Sequence, residues 1–205
     1  MARAHATSNA APVADHFTGR AADYSAASSS GVWNAWRAME RRAIWKLLRP
    51  VAGERILDAG CGAGYYTQHL LTSGAAVIST DLSTSMTRET SQRHQVPAFV
   101  CNLEQLPLRA EFDAVLCAGA LEFCHDPAEA ISGMARLISP EGRLILMLPA
   151  ESFFGGMYRA YHARNGLTIK LFSKPWLKEI ADASGMRLAE IAGAGFNHVA
   201  RFVPA

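Results

Sequence analysis

A chain of 205 residues, half of them hydrophobic, can bury one sizeable core with at most a small appendage. Its formal net charge of +2 is near neutral for this length, so charge alone indicates neither a nucleic-acid partner nor a membrane surface. No apolar run approaches a membrane span, and no solenoid or propeller period repeats. The four cysteines, Cys61, Cys101, Cys117 and Cys124, form no C-x-x-C pair, and three fall in or beside expected strands. Reduced core thiols in a cytoplasmic protein are the expectation. Residues 1–14 are rich in Ala and Ser with no acid before Asp15, and read as a disordered leader. Residues 15–49 read as an N-terminal helical cap. It holds Phe17, Tyr24, a Ser28–Gly31 loop and a helix over 33–48 with Trp36, Met39, Ala43 and Leu47 on one side. Pro50 and Gly53 close that helix.

Next comes Arg55-Ile56-Leu57-Asp58-Ala59-Gly60-Cys61-Gly62-Ala63-Gly64, a short strand-like run, an acid, three alternating glycines and then a helical pattern. Glycine accepts positive φ and lets a ligand approach bare backbone, so such a turn is a nucleotide-type cradle. The dinucleotide pattern G-x-G-x-x-G fails here, because its third position is Tyr65 and the glycine arrives one residue early at Gly64. Asp58 would repel a pyrophosphate and favour a ligand with positive charge. The run resembles the first motif of class I S-adenosylmethionine (SAM)-dependent methyltransferases of the small-molecule type, those of methyltransferase domain 11. SAM carries an ammonium group and a sulfonium.

A helix from Tyr65 to Leu71 and a strand over Ala76–Thr80 lead to Asp81, about 20 residues beyond the glycine turn, where nucleotide folds place a ribose-binding acid. The resemblance implies the same role, and sets Leu82 and Met86 against the adenine. A helix over 83–94 and a strand over 98–101 precede Asn102-Leu103-Glu104-Gln105-Leu106-Pro107, which is similar to the family's adenine-binding loop with Asn102 in place of aspartate. Asparagine keeps an acceptor oxygen for the adenine amino group and adds a donor.

Phe112–Ala118 reads as a central strand, apolar on both faces, whose end opens beside the glycine loop. The transferred methyl is expected there, near Glu122 and His125. Asp126-Pro127-Ala128-Glu129 starts a helix with an N-cap, a first-turn proline and a capping box. Ser139–Gly142 then turns into a strand over 143–148. Residues 149–172, with Phe153, Phe154, Tyr158, Tyr161 and Phe172, read either as a functional loop or as a short helix patching the core. A last helix stops at Gly185, and strands over 186–192 and 197–203 form a terminal hairpin.

Alternation of strand and helix over 54–148 argues for a doubly covered parallel sheet. The resemblance, covering about residues 50–203, implies a Rossmann-like α/β fold of seven strands, one of them antiparallel. It implies a SAM cofactor bound by Asp58, Gly60, Cys61, Gly62, Gly64, Asp81, Leu82, Met86, Asn102, Leu103 and Ala118, with no metal. Glu122, His125 and His162 are the residues able to serve as a general base toward an acceptor. Aromatic residues in segments 15–48 and 149–172 suggest lids over an apolar or planar small molecule rather than a nucleic acid or an inserted membrane segment. The competing readings are a SAM-binding module without turnover and a nicotinamide-dependent oxidoreductase, the latter disfavoured by Tyr65 and Asp58.

Overall fold

The computed structural model describes residues 31–205 together with Val13. The expectations for the leader, Phe17, Tyr24 and the Ser28–Ser30 stretch lie outside the described residues. Seven strands form one sheet: β1 (Arg55–Ala59), β2 (Ala76–Asp81), β3 (Ala98–Val100), β4 (Phe112–Ala118), β5 (Ile138–Pro149), β6 (Met186–Ala194) and β7 (Asn197–Pro204). Their spatial order is β3-β2-β1-β4-β5-β7-β6. Only β7 runs against its neighbours, as the fold class required. The helices are α1 (Gly31–Leu48), α2 (Tyr65–Thr72), α3 (Thr84–His94), α4 (Pro127–Ala135), α5 (Phe153–Arg164) and α6 (Lys174–Ala183).

The period-2 geometry of a strand sends successive side chains to opposite faces, so the unbroken apolar strands supply two cores at once. Leu57, Val115 and Leu146 pack on one side with Ile131, Met134 and Leu177. Ile56, Leu116 and Ile145 pack on the other with Ile44, Leu47 and Leu70. Chain order reverses between β1 and β4, so a crevice opens at their carboxyl ends, where open α/β sheets bind ligands.

Two details depart from the local reading. The expected Ser139–Gly142 turn is the first part of β5, accommodated by a register shift opposite Phe112 and Ala114. Segment 149–172 contains a true helix, α5, whose N-cap Ser152 accepts from the Gly155 amide at 3.1 Å. The Asp126 cap is present as expected, accepting from the amides of Ala128 and Glu129.

Helix α1 is held at its C-terminal end. The Arg143 guanidinium donates to the carbonyls of Leu48 and Arg49 and forms a paired contact with Glu54 at 2.9 and 2.7 Å. Arg201 donates to the Leu47 carbonyl at 3.0 Å. Cations here satisfy carbonyls that the helix itself leaves open. Ile44, Leu47 and Leu48 are fully buried, so this half of α1 is core rather than cover. Only the part around Trp36 reaches toward the crevice. There the indole donates to Glu40 at 2.8 Å, and its ring occupies the space that a side chain at Gly195 would need.

Because Arg143 and Glu54 are mostly buried, removing one partner strands the other charge. Arg143→Met is expected to cost roughly 3–5 kcal/mol in urea unfolding.

Candidate active site

The loop after β1 is fixed by its own backbone. The amides of Gly60 and Cys61 both donate to the Thr80 carbonyl, at 2.7 and 2.9 Å. The Gly62 amide donates to Asp81 Oδ2 at 2.9 Å, and the Gly64 amide to the Cys61 carbonyl at 3.0 Å. Thr90 donates to the Gly62 carbonyl at 2.8 Å. Four amides that a pyrophosphate would need are therefore already engaged. This loop is no anion nest, which removes the dinucleotide reading on geometry.

The three glycines are glycine for different reasons. A Cβ at Gly60 (φ +76) would lie 2.4 Å from the Ala120 Cβ, and one at Gly64 (φ +84) would strike the His94 ring at 2.6 Å. A Cβ at Gly62 (φ +53) would meet nothing within 4 Å. Gly60 and Gly64 serve packing, whereas Gly62 keeps open the space above the loop.

Two acids lie beneath. Asp58 is 1% exposed and accepts from the Thr67 hydroxyl at 2.6 Å, with Ser79 within 3.1 Å of that hydroxyl. Burial pushes its carboxyl up to about 7, against the Thr67 bond and with help from the charge of Asp81. Asp58 thus lies beneath the loop rather than on the wall of the cleft. Asp81 stands at the end of β2, its Oδ1 accepting from the Ser83 amide at 2.9 Å. Burial raises its pKa, and the amides of Ser83 and Gly62 oppose that rise.

A cleft of about 260 Å³ opens over the loop. Gly60, Cys61, Gly62, Gly64 and Ala118 line it, as expected, together with Gly119. Asn34 and Arg37 of α1, Tyr65 and Gln68 of α2 and Arg93 and His94 of α3 complete the wall. Sequence reasoning missed Arg37, whose guanidinium lies 5.3 Å from the Tyr65 ring centre. Nothing local signals it, since only the crossing of α1 over α2 brings it there. Other expected residues are placed differently. Met86 and Leu103 are buried, Leu103 as part of the core, and Leu82 is half-buried. The Asn102 side-chain oxygen caps its own turn, accepting from the Glu104 amide at 3.0 Å. One lone pair of that oxygen is thus taken within the turn and the other is left over.

Gly119 (φ +73) links the cleft to a second group, because a Cβ there would sit 3.9 Å from Glu122 Oε1. Glu122 is 2% exposed, and its Oε2 has no hydrogen-bond partner. Burial pushes this carboxyl up to about 7, its own backbone amide opposing and the charge of Glu40 adding. Rings gather nearby: Trp36 on Phe196 at 5.5 Å, Tyr158 on Phe196 at 4.9 Å, and His162 against Tyr158 one helical turn away at 4.5 Å and against Phe123 at 5.4 Å. The His125 side chain is exposed, its backbone amide donates a hydrogen bond to the Glu104 carboxylate at 2.6 Å, and its carbonyl accepts from the Lys170 ammonium.

A doubly wound sheet with β7 reversed and a phosphate-indifferent glycine loop beside a strand-end acid defines a Rossmann-like methyltransferase fold. Residues 57–146 match the family model described as a methyltransferase domain, and over this segment the chain is similar to the class I SAM-dependent methyltransferases. It is 31% identical over 123 residues to malonyl-[acyl-carrier protein] O-methyltransferase of Pseudescherichia vulneris, covering 57% of this chain and 49% of that one. It is 35% identical over 104 residues to ubiquinone biosynthesis O-methyltransferase of Albidiferax ferrireducens, covering 46% and 41%. The chain thus spans less than half the length of these relatives. Among solved structures it resembles magnesium protoporphyrin IX methyltransferase from Synechocystis with bound SAH, at a TM-score of 0.77 and 20% identity over 95% of this chain and 99% of that one.

The glycine assignment is testable by stability alone. Gly62→Ala should cost only the ~1–2 kcal/mol of left-handed backbone. Gly60→Ala adds a clash and should cost roughly 2–5 kcal/mol in denaturant titration.

Proposed function

We propose that this protein transfers a methyl group from SAM to a small, largely apolar or planar acceptor, with Glu122 binding and deprotonating that acceptor. The observation that carries the reading is the unpartnered, buried Glu122 oxygen beside Gly119, at the edge of the cofactor cleft. A buried acceptor without a donor costs free energy in the resting protein, and a hydroxyl or amine of a bound substrate would satisfy it.

SAM supplies an electrophilic methyl on a sulfur that leaves as a neutral thioether. The protein's part is then to align, exclude water and hold protons. The open face of Gly62 admits the cofactor, and Asp81 would take the ribose hydroxyls on lone pairs not used by Gly62 and Ser83. Asp58 favours positive charge from below, and Arg37 is suited to the cofactor's carboxylate. Asn102 would offer adenine the second lone pair of its oxygen for the amino group and its side-chain NH2 for a ring nitrogen. Gly60, Cys61, Gly64 and Ala118 form the floor, while Leu82, Met86 and Leu103 support the adenine side. Trp36, Tyr158 and Phe196 give the acceptor side its apolar character. Glu122, poised near neutrality, could accept a hydroxyl or amine proton as the methyl arrives.

Titration calorimetry with SAM, followed by detection of the demethylated product across phenolic, carboxylate and amine acceptors, tests the reading. Bound SAM without turnover on any acceptor would leave a binding module. Asp81→Ala should weaken SAM affinity by about 10- to 100-fold, the loss of a charged hydrogen bond. Part of that loss comes from releasing the Gly62 amide.

Glu122 also predicts two pH effects. Catalytic efficiency should rise with pH through about 7 as the base deprotonates, and Glu122→Gln should be flat and lower by roughly 10²–10⁴. Because the folded-state pKa is raised, this carboxyl's contribution to stability is present at low pH and lost as pH climbs from 4.5 through about 7. Thermal melts of Glu122→Gln should therefore exceed wild type at pH 8 and not at pH 4.

A further inference from the structure

Helix α5 turns its largest apolar residues away from the protein. Phe153, Phe154, Met157 and Tyr161 are 78, 65, 57 and 61% exposed. At about 100° per residue they share an arc of roughly 100°, and Arg164 falls within it. The opposite side faces inward. Gly155 is packed so closely that a Cβ would lie 2.0 Å from the Ala150 carbonyl oxygen, and Tyr158 and His162 join the ring cluster against Phe196 and Phe123. A surface helix normally buries its apolar face and wets its polar one. This helix does the reverse. A single exposed apolar residue needs no explanation, but a contiguous stripe marks a contact surface.

Charge identifies the partner. Within Phe153–Arg164 there is no acidic residue, and the exposed Arg164 sits inside the apolar arc, while Arg159 is exposed on another side of the helix. Outward Phe, Met and Tyr combined with cations are the features that seat a helix at an anionic bilayer surface. A symmetric pairing of α5 with α5 of a second copy would instead bring arginines onto arginines.

We propose that the outward face of α5 docks the protein peripherally on anionic lipid bilayers. Docking needs no spanning segment, and among the described residues no helix is long and apolar enough to cross a membrane. The inward residues Tyr158 and His162 then bring the ring cluster to the lipid surface. If Glu122 is the acceptor site, as read above, its acceptor is an amphiphile drawn from that surface. The docking itself does not rest on that reading.

Flotation of the full chain with vesicles of phosphatidylcholine alone, or with about a quarter phosphatidylglycerol, tests the proposal. The protein should float with the anionic vesicles at low salt, at least about tenfold better than with neutral ones, and be released by high salt. Phe153→Ser with Met157→Ser, and separately Arg164→Glu, should each lose about tenfold or more. SAM affinity of both variants should stay at wild-type values, which separates failure of docking from failure of the cofactor reading. If the paired apolar variant does not fold, Met157→Ser alone carries the same test. Wild-type protein that stays unbound with anionic vesicles would overturn the proposal, as would variants that float like wild type. A stripe-dependent dimer that ignores vesicles would overturn it too.

Discussion

The carboxylate of Asp81 is the point on which the site depends. One oxygen receives the Gly62 amide and the other the Ser83 amide, so a single side chain locks the glycine loop to the start of α3. With Gly60 and Cys61 bound to the Thr80 carbonyl, the loop is shaped before any ligand arrives. Preorganisation of this kind lowers the ordering cost of binding. It also means that cofactor affinity and loop conformation cannot be altered independently at this residue.

Much of the central fold was legible because its determinants are local. Unbroken apolar runs, the Asp126-Pro127 cap and the early glycine at Gly64 each specify structure within a few residues. The positions of Asp81 and Glu122 were legible for the same reason, Asp81 closing β2 and Glu122 following β4 by a few residues. What they touch was not. The burial of Asp58 beneath Thr67, the packing of Met86 and the internal use of the Asn102 oxygen depend on how elements meet. Arg37 reaches the cleft only because α1 crosses α2. For residues 149–172 the choice between loop and helix stayed open in the sequence because the inward face of α5 is glycine, tyrosine and histidine while its outward face is apolar.

Glu122 and Asp58 form an instructive pair. Both are buried carboxyls brought near neutrality mainly by desolvation. Asp58 has its hydroxyl partner and Glu122 Oε2 has none. The same physical cause therefore acts on one carboxyl that is hydrogen-bonded beneath the loop and on another that keeps an unsatisfied oxygen. Glu40, which accepts from Trp36 and Asn197, adds negative charge near Glu122.

The ties of α1 to the terminal hairpin have a consequence for synthesis. Glu40 binds Asn197 across 157 positions and Leu47 binds Arg201 across 154. Ile44 and Leu47 share their core with Val199. A nascent chain thus carries the apolar face of α1 only partly covered, by the strands already made, until β7 has left the ribosome. Loop closure over such separations is slow relative to the local βα units. Folding of this protein should therefore finish only after translation of β7, with α1 exposed to chaperones or to aggregation in the interval.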